Sequence, residues 1–425
     1  MNILVIGSGG REHALVWAFN KSTRVSKVYC ANGNAGISEI AECVDISPNE
    51  INALVEFAKK NAIDLTFVGG ESPLALGIVD EFERAGLKIV GASKAASRLE
   101  SSKAFAKDFM YRHDIPTARY QVAETVDEAL GFLMDGDFGG EDSPLVVKAD
   151  GLAAGKGVVV CKNHREAKDA IRSIGSGELV EAVAAKKIVL EECLIGSELS
   201  ILLFCDGENF VLMPPTRDHK RIGENDTGAN TGGMGTITDF DLISQDDLQK
   251  VIEEIITPTL TGAKSEGFPF SGVLFLGLML TESGVKVLEY NVRFGDPEAE
   301  AILVCLESDI VDVCDSILNQ NLDSLSVEWK DGCSACVILA SEGYPESPQK
   351  GDVISGIEIA AKNENVEIFH AGTKKNSAGD FVTNGGRVLA ITATASNMPN
   401  ALHRAYKAVY DIYWDGMHFR RDIGK

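Results

Sequence analysis

Short apolar runs alternate with amphipathic segments over the first hundred residues of the chain. Residues 2–6, 27–30, 65–68 and 87–90 have the length and composition of buried strands, whereas residues 11–19 and 50–61 have the spacing of surface helices. This alternation is typical of a parallel sheet with covering helices. The pattern predicts a Rossmann-like N-terminal domain over residues 1–102.

The remaining pattern predicts two further modules. Residues 103–327 form a mixed α/β pattern with a small lid at about residues 120–187, a long helix near residues 245–266, and a hairpin whose second strand ends near residue 291. Residues 328–425 return to short strands, Gly/Pro turns and a terminal helix, which indicates an α+β domain. The predicted fold class is therefore multidomain α/β.

Three polar side chains occupy alternate positions near residue 290. Side chains alternate between the two faces of a strand, so Glu289, Asn291 and Arg293 point the same way if the strand continues to residue 293. A carboxylate and an amide oxygen suit Mg²⁺ that carries a triphosphate, and a guanidinium beside them suits an anionic substrate group. The segment predicts a phosphoryl-transfer site.

A glycine loop follows the first strand. Gly9, Gly10 and Arg11 open the next helix, so backbone N–H groups and the helix N-terminus can hold a phosphate. A dinucleotide fingerprint would need glycine at position 12, where Glu12 stands. A sugar monophosphate is the better fit, and a tight turn without a ligand is the alternative.

A second glycine loop lies in the predicted lid. Lys148 is followed by a loop over residues 151–157, which is one residue too short for a Walker A loop and leads into a strand. Its backbone amides and Lys148 can still meet the oxygens of a triphosphate. The alternative is a flexible exposed hairpin.

Two later segments extend the candidate site. An apolar strand breaks into an acidic turn, where main-chain groups near Glu191 and Leu194 can pair with an adenine edge and Glu198 with ribose hydroxyls. Farther on, Asp218 precedes a Gly-, Asn- and Thr-rich loop over residues 223–235. Ordering such a loop is costly in chain entropy, so we expect a bound ligand to order it; a disordered surface loop is the alternative.

Composition excludes several classes of function. The chain has 425 residues and a formal net charge of −23, which argues against nucleic acid and against an anionic membrane surface as partners. No secretion signal or long apolar run is evident, so we expect a cytoplasmic enzyme. The nine cysteines are odd in number and scattered, which predicts reduced thiols. Cys333 and Cys336 are expected to be strand residues and not half of a zinc site.

Taken together, these segments resemble the phosphoribosylamine–glycine ligase family (glycinamide ribonucleotide synthetases) within the ATP-grasp superfamily. The resemblance covers essentially the whole chain and is specific, because nine blocks occur in order. They are GSGGREHA at 7–14, SKAFAKDFM at 102–110, VVKADGLAAGKGVVV at 146–160, DHKR at 218–221, NTGGMG at 230–235, RFGDPE at 293–298, FHAGT at 369–373, VTNGGRVL at 382–389 and WDGMHFRRDIG at 414–424.

The resemblance implies a pre-ATP-grasp N-terminal domain, an ATP-grasp core and the ligation of glycine to 5-phosphoribosylamine in purine biosynthesis, through glycyl phosphate, by a monomer or small homo-oligomer. It also implies site roles. Metal ligands for Mg²⁺ or Mn²⁺ would be Glu289 and Asn291, and the catalytic residues would be Asp218 and Arg293. ATP would be held by Lys103, Lys148, Gly151, Gly155, Lys156, Gly157, Glu191, Leu194 and Glu198. Substrates would contact Gly9, Gly10, Arg11, Glu71, Asp218, Lys220, Arg293, Asp296, Pro297 and Glu298.

Some positions depart from the family pattern. Gly70, Arg217 and Ala229 stand where Pro, Gln and Pro are usual, and Ala299-Glu300 replaces Thr-Gln. None removes a group that the chemistry needs. The alternatives are an ATP-grasp ligase for another carboxylate and amine, a nucleotide-binding regulator without turnover, and a dinucleotide oxidoreductase. Substrate replacement distinguishes the first, Glu289 and Asn291 argue against the second, and Glu12 argues against the third.

Overall fold

The N-terminal domain of the computed structural model, which describes residues 1–152, 157–177 and 187–425, is a parallel five-stranded sheet. The strand order is β3-β2-β1-β4-β5, with helices in the crossovers, so the predicted Rossmann-like domain is confirmed. Its elements are β1 (Asn2–Gly7), α1 (Gly10–Lys21), β2 (Lys27–Asn32), β3 (Glu42–Val44), α2 (Ile51–Lys60), β4 (Leu65–Val68), α3 (Glu71–Leu76), α4 (Ile78–Arg84) and β5 (Ile89–Val90).

The lid is a separate four-stranded antiparallel sheet in the order β6-β9-β7-β8. Two helices pack on it around a hydrophobic core of its own, which includes Leu145, Val147 and Ile171. The chain leading into and through the lid contains α5 (Arg98–Ser101), α6 (Lys103–Arg112), β6 (Tyr120–Ala123), α7 (Val126–Met134), β7 (Leu145–Ala149), β8 (Val158–Cys161), α8 (His164–Ser176) and β9 (Ile188–Glu192). Helices α5 and α6 come before the lid.

The centre of the molecule is a nine-stranded sheet that follows the order β17-β16-β10-β12-β15-β18-β22-β19, with β11 paired to β10. The segment that supplies its first strands contains β10 (Ser197–Asp206), β11 (Phe210–Leu212), β12 (Thr216–Asp218), β13 (Arg221–Gly223), β14 (Thr227–Asn230), β15 (Gly235–Thr238), α9 (Gln245–Lys250), a π-helical segment (Val251–Ile256), α10 (Thr257–Ser265), β16 (Ser271–Thr281), β17 (Gly284–Asn291), α11 (Glu298–Leu303) and α12 (Ile310–Leu318). Strands β13 and β14 pair with each other in a separate two-stranded sheet.

The C-terminal region joins this sheet directly, because β18 pairs antiparallel with β15. It contributes β18 (Cys333–Ala340), α13 (Ile357–Ala360), β19 (Val366–His370), β20 (Thr373–Lys375), β21 (Phe381–Thr383), β22 (Arg387–Ala395) and α14 (Met398–Val409). Cys333 and Cys336 are buried strand residues, as predicted, and all nine cysteines are free thiols. The predicted terminal helix is present and ends at Val409.

Two hydrophobic cores bind the N-terminal domain to the central sheet. One includes Leu4 and Phe82 together with Leu203 and Leu276, and the other packs α1 against α11 and α12. These cores fix the first glycine loop beside the end of β17. Within the described residues, no helix is long and apolar enough to cross a bilayer.

Candidate active site

The predicted metal strand ends earlier than expected. β17 stops at Asn291, so Arg293 lies beyond the strand and not on its face. The chain turns back nonetheless, and an Arg293 Nη donates to Asn291 Oδ1 at 3.2 Å. Arg293 also pairs with Glu100 at 2.7 Å and with Glu71 at 3.3 Å. The guanidinium is therefore held by two carboxylates beside the predicted metal ligands.

Three lysines surround the carboxylate of Glu289. Burial raises the pKa of Glu289, but Lys220, Lys148 and Lys103 lower it by more, so the group is held below its usual pKa range. Lys103 Nζ donates to the carbonyl oxygen of Gly151 at 3.1 Å, which places it at the start of the second glycine loop. An ionised carboxylate beside three cations is chemically suited to a divalent cation that carries phosphates.

The donor set fits a hard cation. Glu289 supplies a carboxylate, and Asn291 Oδ1 keeps a second lone pair beside its bond from Arg293. In the parts of the chain that the structure describes, no three His, Cys, Asp or Glu side chains form a metal-binding group. A Mg²⁺ ion held here by Glu289 and Asn291 would take its remaining ligands from phosphate oxygens and water, as Mg²⁺ commonly does.

Lys148 is held from behind by an ion pair. Its Nζ lies 2.8 Å from Glu191 Oε1 and donates to the carbonyl of Leu288 at 3.2 Å. The Glu191 carboxylate also pairs with Lys107 at 2.9 Å. The Glu191 side chain is thus committed inside the protein, and only its main chain can serve the predicted adenine contact.

The second glycine loop is closed at its base by a hydrogen bond from Ala149 N to the carbonyl of Gly157 at 2.8 Å. Gly151 has φ +135°, a backbone conformation that favours glycine. The predicted ATP ligands Gly155 and Lys156 lie outside the described residues. At the described start of the loop, the Gly151 carbonyl accepts from Lys103 Nζ.

The predicted nucleoside contacts lie in the connection from β9 to β10. Leu194 is half-buried there, and Glu198 is exposed at the start of β10. Glu198 pairs with Lys220 at 2.8 Å, and this pairing contributes to raising the pKa of Lys220 against the effect of burial. Lys220 therefore lies between the predicted ribose contact and the Glu289 carboxylate.

The first glycine loop borders a cavity of about 310 Å³, and Glu71 and Asp296 lie on its wall. Some of the predicted phosphate donors already have partners: Gly9 N donates to Glu12 at 2.6 Å, and Arg11 N donates to Asp296 at 3.4 Å. Arg11 Nε pairs with Glu12 at 2.7 Å. The positive charge at this cavity wall therefore comes from the Arg11 guanidinium more than from free backbone N–H groups.

Gly70, where the resembling family has Pro, lies beside Arg11. A Cβ at Gly70 would stand 3.3 Å from an Arg11 Nη atom, so a larger side chain would press on the guanidinium. The change leaves room around Arg11 at the cavity wall.

Asp218 and Glu298 form a close acidic pair. Burial and the nearby Glu298 carboxylate raise the pKa of Asp218 well above its usual value, although Lys220 and Arg387 oppose this. Asp218 Oδ1 accepts from Thr236 Oγ1 at 3.2 Å. A carboxylate with a raised pKa binds a proton more readily than an exposed one and can accept a proton from a neighbouring group.

Asp296 and Pro297 connect the acidic pair to the C-terminal region. Arg387 pairs with Asp296 Oδ1 at 2.8 Å and donates to the Asp296 carbonyl at 2.6 Å. Pro297 lies against Gly233, where a Cβ would come within 2.6 Å of the proline ring and φ is +109°. Only glycine fits at this point of the polar loop.

The polar loop that was expected to need a ligand is ordered by the protein itself. β13 and β14 form a hairpin within it. The C-terminal segment holds this hairpin, because Arg420 pairs with Asp226 at 2.8 Å and Gly424 N donates to His219 Nε2 at 3.0 Å. Tyr344 accepts from Gly232 N at 3.0 Å. The loop therefore has partners within the protein and does not need a ligand to be ordered.

Four charged residues beside the site were not predicted from the sequence: Glu12, Glu100 and Lys107, which are buried, and Arg387, which is half-buried. Glu12 followed directly from the glycine loop and could have been identified as a helix-capping carboxylate. The other three reach their partners from distant parts of the chain, and no local spacing marks them.

Comparisons with known proteins agree with this geometry. Family profiles described as phosphoribosylglycinamide synthetase N domain, ATP-grasp (A) domain and C domain match residues 1–100, 101–299 and 334–425. A phosphoribosylamine–glycine ligase of Vibrio parahaemolyticus is 46% identical over 427 residues, covering 100% of this chain and 98% of that protein. One of Haemophilus influenzae is 47% identical over 428 residues, with 100% and 98% covered.

Solved structures give the same result. The crystal structure of phosphoribosylamine–glycine ligase from Thermotoga maritima has a TM-score of 0.86 at 35% identity and covers 99% of this chain and 100% of that one. The biotin carboxylase domain of 2-oxoglutarate carboxylase from Hydrogenobacter thermophilus has a TM-score of 0.72 at 17% identity, with 98% and 91% covered, and shares the fold alone. From the three profiles and the full-length relatives, the chain belongs to the phosphoribosylglycinamide synthetase family.

Proposed function

We propose that this protein is a carbon–nitrogen ligase that joins glycine to 5-phosphoribosylamine with ATP, giving glycinamide ribonucleotide, ADP and phosphate in de novo purine (IMP) biosynthesis. The observation that carries the proposal is the Glu289 carboxylate surrounded by Lys103, Lys148 and Lys220. It adjoins Arg293, which in turn touches Glu71 on the wall of the cavity beside the first glycine loop. The Arg293 guanidinium thus lies both beside the proposed triphosphate site and at the proposed anion-binding wall of the cavity.

In the first step, a carboxylate oxygen of glycine attacks the γ-phosphorus of ATP, the bond to the β-phosphate oxygen breaks, and ADP leaves. Arg293 holds the glycine carboxylate, while Lys103 and Lys148 hold the phosphates. A bound Mg²⁺ or Mn²⁺ ion would supply charge neutralisation for the triphosphate. The product is glycyl phosphate, and alignment with charge neutralisation provides the catalysis.

In the second step, the amine nitrogen of phosphoribosylamine attacks the acyl carbon, the carbon–oxygen bond to phosphate breaks, and inorganic phosphate leaves. Asp218 positions the amine and accepts its proton, because burial and Glu298 make this carboxylate a stronger base than an exposed one. Arg11 holds the ribosyl phosphate at the cavity wall. No protein nucleophile is required.

We also propose a cellular compartment, an oligomeric state and partners for the enzyme. The nine free thiols suit a reducing compartment, and we place the enzyme in the cytoplasm as a monomer or small homo-oligomer. Its partners are the small-molecule substrates, since a net charge of −23 disfavours nucleic acid and anionic membranes.

The test is ADP release by the purified protein with Mg-ATP, glycine and freshly generated 5-phosphoribosylamine, with each substrate omitted in turn. Turnover that needs all three supports the proposal. Turnover with another carboxylate or another amine, and not with these, would keep the ATP-grasp chemistry and reject the substrates.

A metal-ligand variant sharpens this test. Glu289→Ala is expected to lose turnover at all Mg²⁺ concentrations, because the cation loses its carboxylate ligand. The matched control is Glu282→Ala, an exposed glutamate in the turn of the same hairpin, which should keep wild-type activity. Full activity of Glu289→Ala at saturating Mg²⁺ contradicts the metal assignment, and Mn²⁺ titration gives the cation preference.

A further inference from the structure

A row of three charged side chains lies buried behind the proposed phosphate site. Lys107, Glu191 and Lys148 are only 2%, 2% and 6% exposed. Glu191 sits in the middle, with its two carboxylate oxygens 2.9 Å from Lys107 Nζ and 2.8 Å from Lys148 Nζ. The proposed mechanism uses Lys148 and assigns nothing to Lys107.

Both ends of the row are fixed on the strand that carries Glu289. Lys107 Nζ donates to Thr117 Oγ1 at 2.7 Å, and Thr117 Oγ1 donates to the carbonyl of Val287 at 2.7 Å. At the other end, Lys148 Nζ donates to the carbonyl of Leu288 at 3.2 Å. The row therefore ties α6 and two lid strands to consecutive carbonyls of β17, immediately before the predicted metal ligand.

The charge of the row depends on Lys107. Two lysines and one carboxylate leave one net positive charge, whereas Lys148 and Glu191 alone would be neutral. At a buried site the interaction between charges is screened weakly, so a neutral pair would attract a triphosphate much less than a row with one positive charge. Removing Lys107 would also leave half of a buried carboxylate unpaired.

We propose that Lys107 is a positioning residue for ATP. It occupies one oxygen of the Glu191 carboxylate and fixes that carboxylate on Lys148. The positive charge of Lys148 is thereby left available to the phosphates. The inference rests on the proposed function, in which Lys148 holds the triphosphate. It assigns a role in nucleotide binding to a residue that touches no substrate.

The experiment measures KM for each substrate, kcat, and nucleotide binding by calorimetry with Mg-ADP. Lys107→Met should raise KM for ATP and Kd for Mg-ADP at least 10-fold and leave KM for ribosylamine within about twofold. Lys107→Arg keeps the charge and should stay within about fivefold of wild type. The matched control is Lys162→Met, an exposed lid lysine, which should change nothing.

A pH profile separates positioning from simple packing. Burial lowers the pKa of Lys107 to about 8, with Lys148 lowering it and Glu191 and Glu192 raising it. Wild-type KM for ATP should therefore rise as pH passes above about 8, because Lys107 loses its charge. Lys107→Arg should lack this rise, since a guanidinium remains protonated there.

Three results overturn the inference: wild-type KM for ATP in Lys107→Met, an equal rise for all three substrates, or the same alkaline rise in Lys107→Arg. Should Lys107→Met fail to fold, Thr117→Val decides, because it removes the anchor of Lys107 without removing charge. It should raise KM for ATP about threefold, and no change overturns the proposal. If the wild-type protein ligates no glycine, the proposed function fails, while Mg-ADP binding still tests Lys107.

Discussion

Glu300 is a buried carboxyl group without a hydrogen-bond partner on either oxygen. It lies against Gly10, where a Cβ would stand 2.2 Å from Glu300 Oε1, so it supports the first glycine loop from below. Burial and the nearby Asp296 carboxylate raise its pKa well above the usual value, although Arg387 and Arg11 oppose this. Its proton is therefore retained in the folded protein at pH values where it is lost from the unfolded chain.

The sign and size of the effect follow from this shift. Because the folded pKa of Glu300 is raised, its favourable contribution is complete below the unfolded pKa of 4.5 and is lost as pH rises toward the folded pKa. One such proton changes the free energy of unfolding by about 1.4 kcal/mol per pH unit. For each pH unit between the unfolded and the folded pKa, the wild-type protein should lose about 1.4 kcal/mol that Glu300→Gln does not lose.

Glu300→Gln tests this reasoning, because glutamine has nearly the same shape and stays neutral. For a chain of 425 residues, about 1.4 kcal/mol corresponds to a Tm difference of about 1.5 °C. Calorimetric scans at pH 5 and pH 6 should show the variant gaining by about that amount relative to the wild-type protein at the higher pH. The exposed Glu307→Gln is the control and should show no such gain. A variant whose Tm difference from wild type is the same at both pH values refutes a retained proton.

Three further predictions concern the site and its support. Arg11→Ala should raise KM for ribosylamine at least 10-fold, since a charge-assisted hydrogen bond to phosphate contributes about 1.5–3 kcal/mol; a change confined to KM for ATP would place the phosphate elsewhere. Arg387→Ala should raise the same KM about fivefold or more by releasing Asp296, and steady-state kinetics would show it. The hydrogen bond from Arg420 lowers the pKa of Asp422 from 3.8 to about 2, so about 2 kcal/mol of stability present above pH 4 should be lost between pH 4 and pH 2. Asp422→Asn should lack that acid loss in unfolding titrations.

Local patterns predicted the parts of the molecule that are local in the fold. The strand, glycine loop and helix over residues 2–21 follow from an apolar run, glycines and an amphipathic segment in direct succession. The hairpin that carries Glu289 and Asn291 was predicted within two residues for the same reason. The prediction that Arg293 lies on the strand was wrong. The alternation of side chains along a strand cannot show that Glu100, which is distant in sequence, accepts from Val292 N and pairs with Arg293 just after the strand ends.

Long-range partners account for what the sequence did not predict. Lys107 and Glu191 are 84 positions apart in the sequence, and Arg387 and Asp296 are 91 positions apart. Neither periodicity nor turn chemistry contains information about such pairs, since both describe neighbours along the chain. Order in the polar loop was misjudged for the same reason, because Arg420 and Tyr344 hold it from the C-terminal region.

Asp296 connects the C-terminal region to the first glycine loop. This one carboxylate accepts from Arg11 N at 3.4 Å and pairs with Arg387 at 2.8 Å, so it joins the first glycine loop to β22. The same region supplies β18, which covers the edge of β15, a strand buried along its whole length. A chain ending before β18 would expose that edge and its unpaired backbone groups, which favours aggregation. The C-terminal region therefore both completes the sheet and holds Asp296, which lines the cavity beside the first glycine loop.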